Sequence, residues 1–178
     1  MSLKQIYQQR SLKKGRKRNK RRRELKNLED IKNVGILFER DSDHTASNMQ
    51  KLAQFLHDQG AKVHVLAFVN IKKPTSEFVQ KKSLDLFYRK DLNWYGKPVS
   101  DEVKSFINQP FDLLVKADFS NAFPLSWICT VSRTTLVAGP NDELKNVYDF
   151  IIETQQKDQN QYHQQLIHYL SVINQKSP

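Results

Sequence analysis

From residue 33 onward the apolar positions fall into short runs, some continuous and some with helical spacing, divided by polar turns. Asn33 to Phe38 (NVGILF) is nearly all apolar with β-branched residues, the form of a parallel strand covered on both faces. The polar stretch ERDSDH follows. Met49, Leu52, Ala53, Phe55 and Leu56 then recur on one side of a helix that Gly60 is placed to stop. Lys62 to Val69 (KVHVLAFV) is a second strand, completing a βαβ unit whose crossover is expected to be right-handed.

Beyond it, NIKKPTSE reads as a loop, Leu84 to Tyr88 (LDLFY) as a third strand, and Asp91 to Pro98 (DLNWYGKP) as a turn carrying two aromatics. Ser100 is suited to cap a helix running to about Asn108. Phe111 to Val115, Thr134 to Val137 and Val147 to Ile152 read as strands, and Pro124 to Val131 as a brief helix. A closing helix from about Asp158 to Asn174 turns Tyr162, Leu166, Ile167, Leu170 and Ile173 inward and a Gln-rich face outward. This alternation predicts an α/β fold: a doubly wound, mostly parallel, Rossmann-like sheet of five or six strands with helices on both faces, preceded by a basic N-terminal arm.

Charge divides the chain in the same place. Residues 1–32 hold 13 Lys and Arg against three acids, while residues 33–178 hold 16 of each sign, so the whole net charge of +10 resides in the arm. The run Arg10 to Arg23 (RSLKKGRKRNKRRR) contains Arg10, Lys13, Lys14, Arg16, Lys17, Arg18, Lys20, Arg21, Arg22 and Arg23, ten cations in fourteen residues. With little to bury and strong self-repulsion, it is expected to be disordered when free, partly helical, and dependent on a polyanion. The helix is expected from about Lys17, where Leu25, Leu28 and Ile31 recur every three residues. The domain organisation is therefore a 1–32 arm and a 33–178 α/β domain.

Other features bound the function. Cys129 is the single cysteine, so no internal disulfide forms, in keeping with a reducing cytoplasm. The start of the chain does not read as a secretory signal, and a mitochondrial presequence is disfavoured because the cationic run passes directly into RELKNLEDIK, which carries acids. No stretch approaches the roughly 20 apolar residues of a membrane-spanning helix. Neither G-x-G-x-x-G nor a P-loop occurs, so no nucleotide cofactor is expected.

Candidate chemistry lies at strand ends, where such sheets bind ligands. Glu39, Asp41 and Asp43 with His44 follow the first strand, and Asp118 follows FDLLV. Carboxylates there can hold Mg²⁺ through waters or perform acid-base work, but helix capping and solvent exposure are the simpler explanation. Cys129, among Leu125, Trp127 and Ile128, reads as a buried small hydrophobe. His163 and His168 do not share a helical face, and His57 and His64 have no partners at ligand spacing, so no metal is expected. Lys116 and Ser132-Arg133 could meet an anion at the strand ends, though ordinary surface charge is the commoner role, and Trp94 and Tyr95 either pack over a loop or stack on bases.

The segments GILF (35–38), FDLLVKADFSNAFPL (111–125), VSR (131–133) and VAG (137–139) resemble an uncharacterised bacterial family of the Bacteroidetes type, with a basic N-terminus and a Rossmann-like body. The resemblance spans nearly the whole chain, implies a cytoplasmic bacterial protein and carries over no catalytic residue. Together these readings favour an RNA-binding protein, associated with the ribosome or rRNA, whose arm contacts phosphates and whose neutral body docks, with possible protein partners on the same assembly. Neutralising about six to eight phosphates implies a salt slope of roughly −4 to −7. The alternatives are an enzyme on RNA or nucleotides using the strand-end acids, which the reading leans against, and a peripheral protein on anionic membranes.

Overall fold

Why the apolar runs are continuous is explained by the sheet they build: all six strands are parallel and helices cover both faces. The computed structural model of the chain describes residues 2–24, 26, 28–41, 43–72, 84–144, 146–155 and 157–172, the side chains of 43–45 excepted. Helix α1 (Leu3–Arg18) and a short 3-10 turn (Leu28–Asp30) precede β1 (Asn33–Glu39), α2 (Asp43–Asp58) and β2 (Lys62–Val69). There follow β3 (Leu84–Tyr88), α3 (Asp101–Asn108), β4 (Phe111–Lys116), α4 (Phe123–Val131), β5 (Thr134–Pro140), β6 (Phe150–Ile152) and α5 (Gln159–Val172).

The strand order is β3-β2-β1-β4-β5-β6, and every neighbouring pair is parallel. The order reverses between β1 and β4, which places the fold's usual ligand crevice at their carboxyl ends. On one face α2 and α5 pack Met49, Leu56, Tyr162 and Leu166 against Ile36, Val65 and Leu113. On the other, α3 and α4 pack Phe106 and Ile128 against Leu37, Leu66 and Leu114.

The expected elements of the body are present, with β6 shorter than the run Val147 to Ile152 because Asp149 turns in to accept the Val137 backbone N–H at 2.9 Å. Most of the expected NIKKPTSE loop and the last two residues of the closing helix lie outside the described residues. The arm requires a correction: its helix is not C-terminal to Lys17 but runs from Leu3 to Arg18 and ends at Asn19. A capping box starts it. The Ser2 hydroxyl accepts the Gln5 backbone N–H, and the Gln5 side-chain oxygen accepts the Ser2 N–H at 2.7 Å. Arg16, Lys17 and Arg18 in its last turn complement the helix dipole.

Packing does not break where charge does. Leu28 and Ile31 are buried in the α2–α5 layer, and α1 lies as an additional layer over α4. Gly15 marks the close approach: a Cβ there would sit 2.9 Å from Val131 Cγ1. Glycine in a helix interior costs about 0.5–1 kcal/mol relative to alanine, so its place here is explained by what it lets the backbones do.

Candidate nucleic-acid interface

At the switch point the chain fills its own crevice. Lys116, at the end of β4, is 0% exposed, and its ammonium lies 2.8 Å from Asp118 Oδ1 and 3.5 Å from Asp142 Oδ2. It also donates to the Asp118 carbonyl at 2.8 Å. Asp118 accepts the backbone N–H of Glu39, bridging the ends of β1 and β4, while the Glu39 carboxylate accepts from the Ser120 hydroxyl. The Tyr148 hydroxyl donates to Asp142 at 2.9 Å. From the other side α5 clamps the exit of β4: Tyr162 donates to the Lys116 carbonyl at 2.8 Å, and His163 Nε2 donates to that of Ala117 at 3.0 Å.

Burial governs titration here. It pushes Asp118 above the ordinary carboxylate range against the pull of Lys116, raises the Tyr148 and Tyr162 phenols, and lowers His163. Cys129 is pushed up to about 12 by the same cause, which makes it an inert thiol packed in the core.

The candidate acids are thus brought together only in part. Asp118 and Glu39 meet, but only as the Asp118 carboxylate accepting the Glu39 backbone N–H, while the Glu39 carboxylate turns to Ser120; Asp41 is exposed on the following loop, and the Asp43 and His44 side chains lie outside the described residues. Lys116 is not the surface group expected of it, because sheet order places Asp142 opposite. Among the described residues, no group of three or more His, Cys, Asp or Glu side chains is arranged to hold a metal ion. His64 instead bridges Asp85 at 2.7 Å and Gln109 at 2.9 Å.

The arm presents the opposite arrangement. Gln8, Ser11, Leu12, Gly15 and Asn19 face the body, while Arg10, Lys13, Lys14 and Lys17, spaced by three and four, are exposed. The docking contacts are largely polar. Gln8 donates to the Tyr95 carbonyl at 2.8 Å, Trp127 Nε1 to the Ser11 hydroxyl at 3.1 Å, and Asn19 to the carbonyls of Thr130 and Ser132 at 2.9 Å each.

Not all ten arm cations face solvent. Arg21 is only 9% exposed and pairs with Asp149 at 2.6 Å while donating to the Val147 carbonyl; Arg23 adds an exposed second pair to Asp149 at 2.9 Å. Lys26 pairs with Asp112 at 2.7 Å, and that bond raises its pKa. Burial opposes ionisation of Asp112, yet Lys26 and the backbone N–H groups of Asn33 and Lys32 together hold its carboxyl below the usual range. Arg21, Arg23 and Lys26 therefore fasten the arm, and among the described residues most of the run's exposed cations without an ion pair come before them.

Alongside α1 runs a groove of about 760 Å³ lined by Arg10, Lys14, Arg18, Lys97, Tyr7, Tyr95 and Trp127. Its far wall is the expected turn, in which the Asn93 side-chain oxygen accepts the N–H groups of Tyr95 and Lys97, and Gly96 adopts φ +91°. Trp94 packs edge-on against Tyr7 with ring centroids 4.8 Å apart, so it rests on the arm as well as on its own loop.

The model of a family of unknown function, DUF6913, matches residues 4–173. The chain belongs to that family. No curated protein matches it. The matched residues take in nearly all of α1. The S-x-x-Q start at Ser2 marks where a helix begins, and α4 is buried from Pro124 through Thr130. A helix buried on every side needs cover on the face turned away from the sheet, and α1 supplies it.

Proposed function

We propose that this protein binds RNA, as a ribosome- or rRNA-associated factor of a bacterial cytoplasm, using the outward face of α1. The observation that supports this most directly is the exposed row Arg10, Lys13, Lys14 and Lys17 on a helix whose other face is committed to the body. A phosphate backbone meeting that row displaces condensed counterions, which gives strongly salt-dependent affinity. Holding the cations on a fixed helix lowers the ordering cost that a disordered arm would meet on binding. The neutral body contributes orientation and contacts to proteins of the same assembly.

The test is to convert Arg10, Lys13, Lys14 and Lys17 to glutamine in the full chain. Deleting the segment is less informative, since it uncovers Trp127 and Phe123. The variant should bind RNA at least about tenfold more weakly at low salt, with a log-log salt slope shallower by about 3 for an unpaired strand. Unfolding stability should stay within about 0.5 kcal/mol. Unchanged affinity overturns the reading, as does wild-type binding to anionic vesicles that excess RNA fails to displace.

A further inference from the structure

Cations alone favour any polyanion, whereas the groove beside α1 adds aromatic surface to them. Tyr7 lines the groove and is 42% exposed; Trp94 stands outside the lining, at the rim, 60% exposed and edge to face with Tyr7. Tyr95 stacks edge-on against Trp94 with centroids 5.3 Å apart. Across the groove the Lys97 ammonium stands 4.8 Å from the centre of the Trp127 ring. Arg10, Lys14 and Arg18 line the same groove from successive turns of α1, giving a ladder of charge with rungs about 6 Å apart.

A duplex keeps its base faces stacked inside and offers phosphates and groove edges, which satisfies the ladder and leaves Trp94 with no base to stack on. An unpaired strand satisfies both, because every base has a π-face and each stacked base is stabilised by an aromatic platform.

We infer that the groove between α1 and the 93–97 turn takes single-stranded RNA, with phosphates along Arg10, Lys14 and Arg18 and unpaired bases stacked on Trp94 and Tyr7. This rests on the RNA-binding reading and narrows it to loops, bulges or ends. Trp94 thereby acquires a role that packing over its own turn does not require.

The experiment uses the full-length protein with two labelled probes, a short oligouridylate and a duplex RNA of equal phosphate count, titrated by fluorescence anisotropy at fixed salt. Wild type should prefer the oligouridylate, and adding it should quench tryptophan emission. Trp94→Ala should bind the oligouridylate about tenfold more weakly while duplex affinity changes by less than about twofold. Trp94→Leu, which keeps apolar cover over Tyr7 without a π-face, should show the same selective loss with an unaltered melting curve. If wild type binds both probes equally through the α1 cations, or if the Trp94 variants lose affinity equally for both, the groove assignment is overturned and the RNA reading survives. If neither probe binds, both fall.

Discussion

Two sets of charges in this molecule sit in opposite circumstances. Lys116, Asp118 and Asp142 occupy the place where a doubly wound sheet ordinarily receives its ligand, and they are buried, bonded to one another and clamped by Tyr148, Tyr162 and His163. Arg10, Lys13, Lys14 and Lys17 lie on a helix outside the three-layer sandwich, where the fold has no customary site, and they are exposed. The contrast teaches that position in a fold does not confer function; what matters is whether the charged groups have their partners already. At the switch point the protein has supplied the partners. On α1, Arg10, Lys13, Lys14 and Lys17 form no ion pair among the described residues.

Breaking the buried set should give the largest effect. Lys116→Met removes the cation between two buried carboxylates, and losing one member of a buried pair typically costs about 3–5 kcal/mol. Denaturant unfolding should record a loss of that order, with RNA affinity of the folded variant unchanged. A small loss would mean that water or a ligand reaches these carboxylates, and the contrast with α1 would collapse.

Next in size is separation of α1 from α4. Gly15→Leu places a branched side chain against Val131 and Thr130, where a Cβ alone already comes within 2.9 Å, and overpacking of this kind costs about 1–3 kcal/mol. The variant should be cleaved readily by trypsin within residues 10–23. It should keep duplex-RNA affinity, since the cations remain, but lose the preference for an unpaired strand. Resistance to cleavage equal to wild type would show that α1 stays docked by other means.

The smallest effect concerns pH at the rim of the sealed crevice. Burial lowers the His163 pKa, and its Nε2–H is committed to the Ala117 carbonyl, so the folded protein holds this imidazole neutral. A histidine depressed in the folded state contributes stability that is complete above its ordinary pKa of about 6.5; as pH falls through that value the unfolded chain takes up the proton first and the contribution is lost. Melting temperature should therefore decline on acidification below about pH 6.5, and His163→Gln should flatten that decline. Identical pH profiles for the two proteins would remove His163 from the account.

How much of this was legible varies with the range of the interaction involved. LDLFY and KVHVLAFV declared β3 and β2 because continuous apolar runs are a local consequence of burial on both faces. Ser100 announced α3 through its cap, its hydroxyl accepting from the Val103 N–H. Lys116 could not be judged in the same way. Its second partner, Asp142, is remote in sequence and arrives only because β5 lies beside β4. Arg21 is similar: within the run it looks like its neighbours, and only the turn of the chain toward Asp149 separates it from them.

By itself, then, the sequence determined the strands, the helices of the body, their parallel arrangement and the confinement of net charge to the first 32 residues, because period, cap and charge count are properties of neighbouring residues. Only the tertiary structure decided that the basic segment is a helix seated on α4, which of its cations remain outward, and that the switch-point carboxylates are already occupied. Those outcomes depend on surfaces far apart in the chain fitting one another, Gly15 against Val131 and Lys116 between Asp118 and Asp142, and no local pattern encodes such a fit.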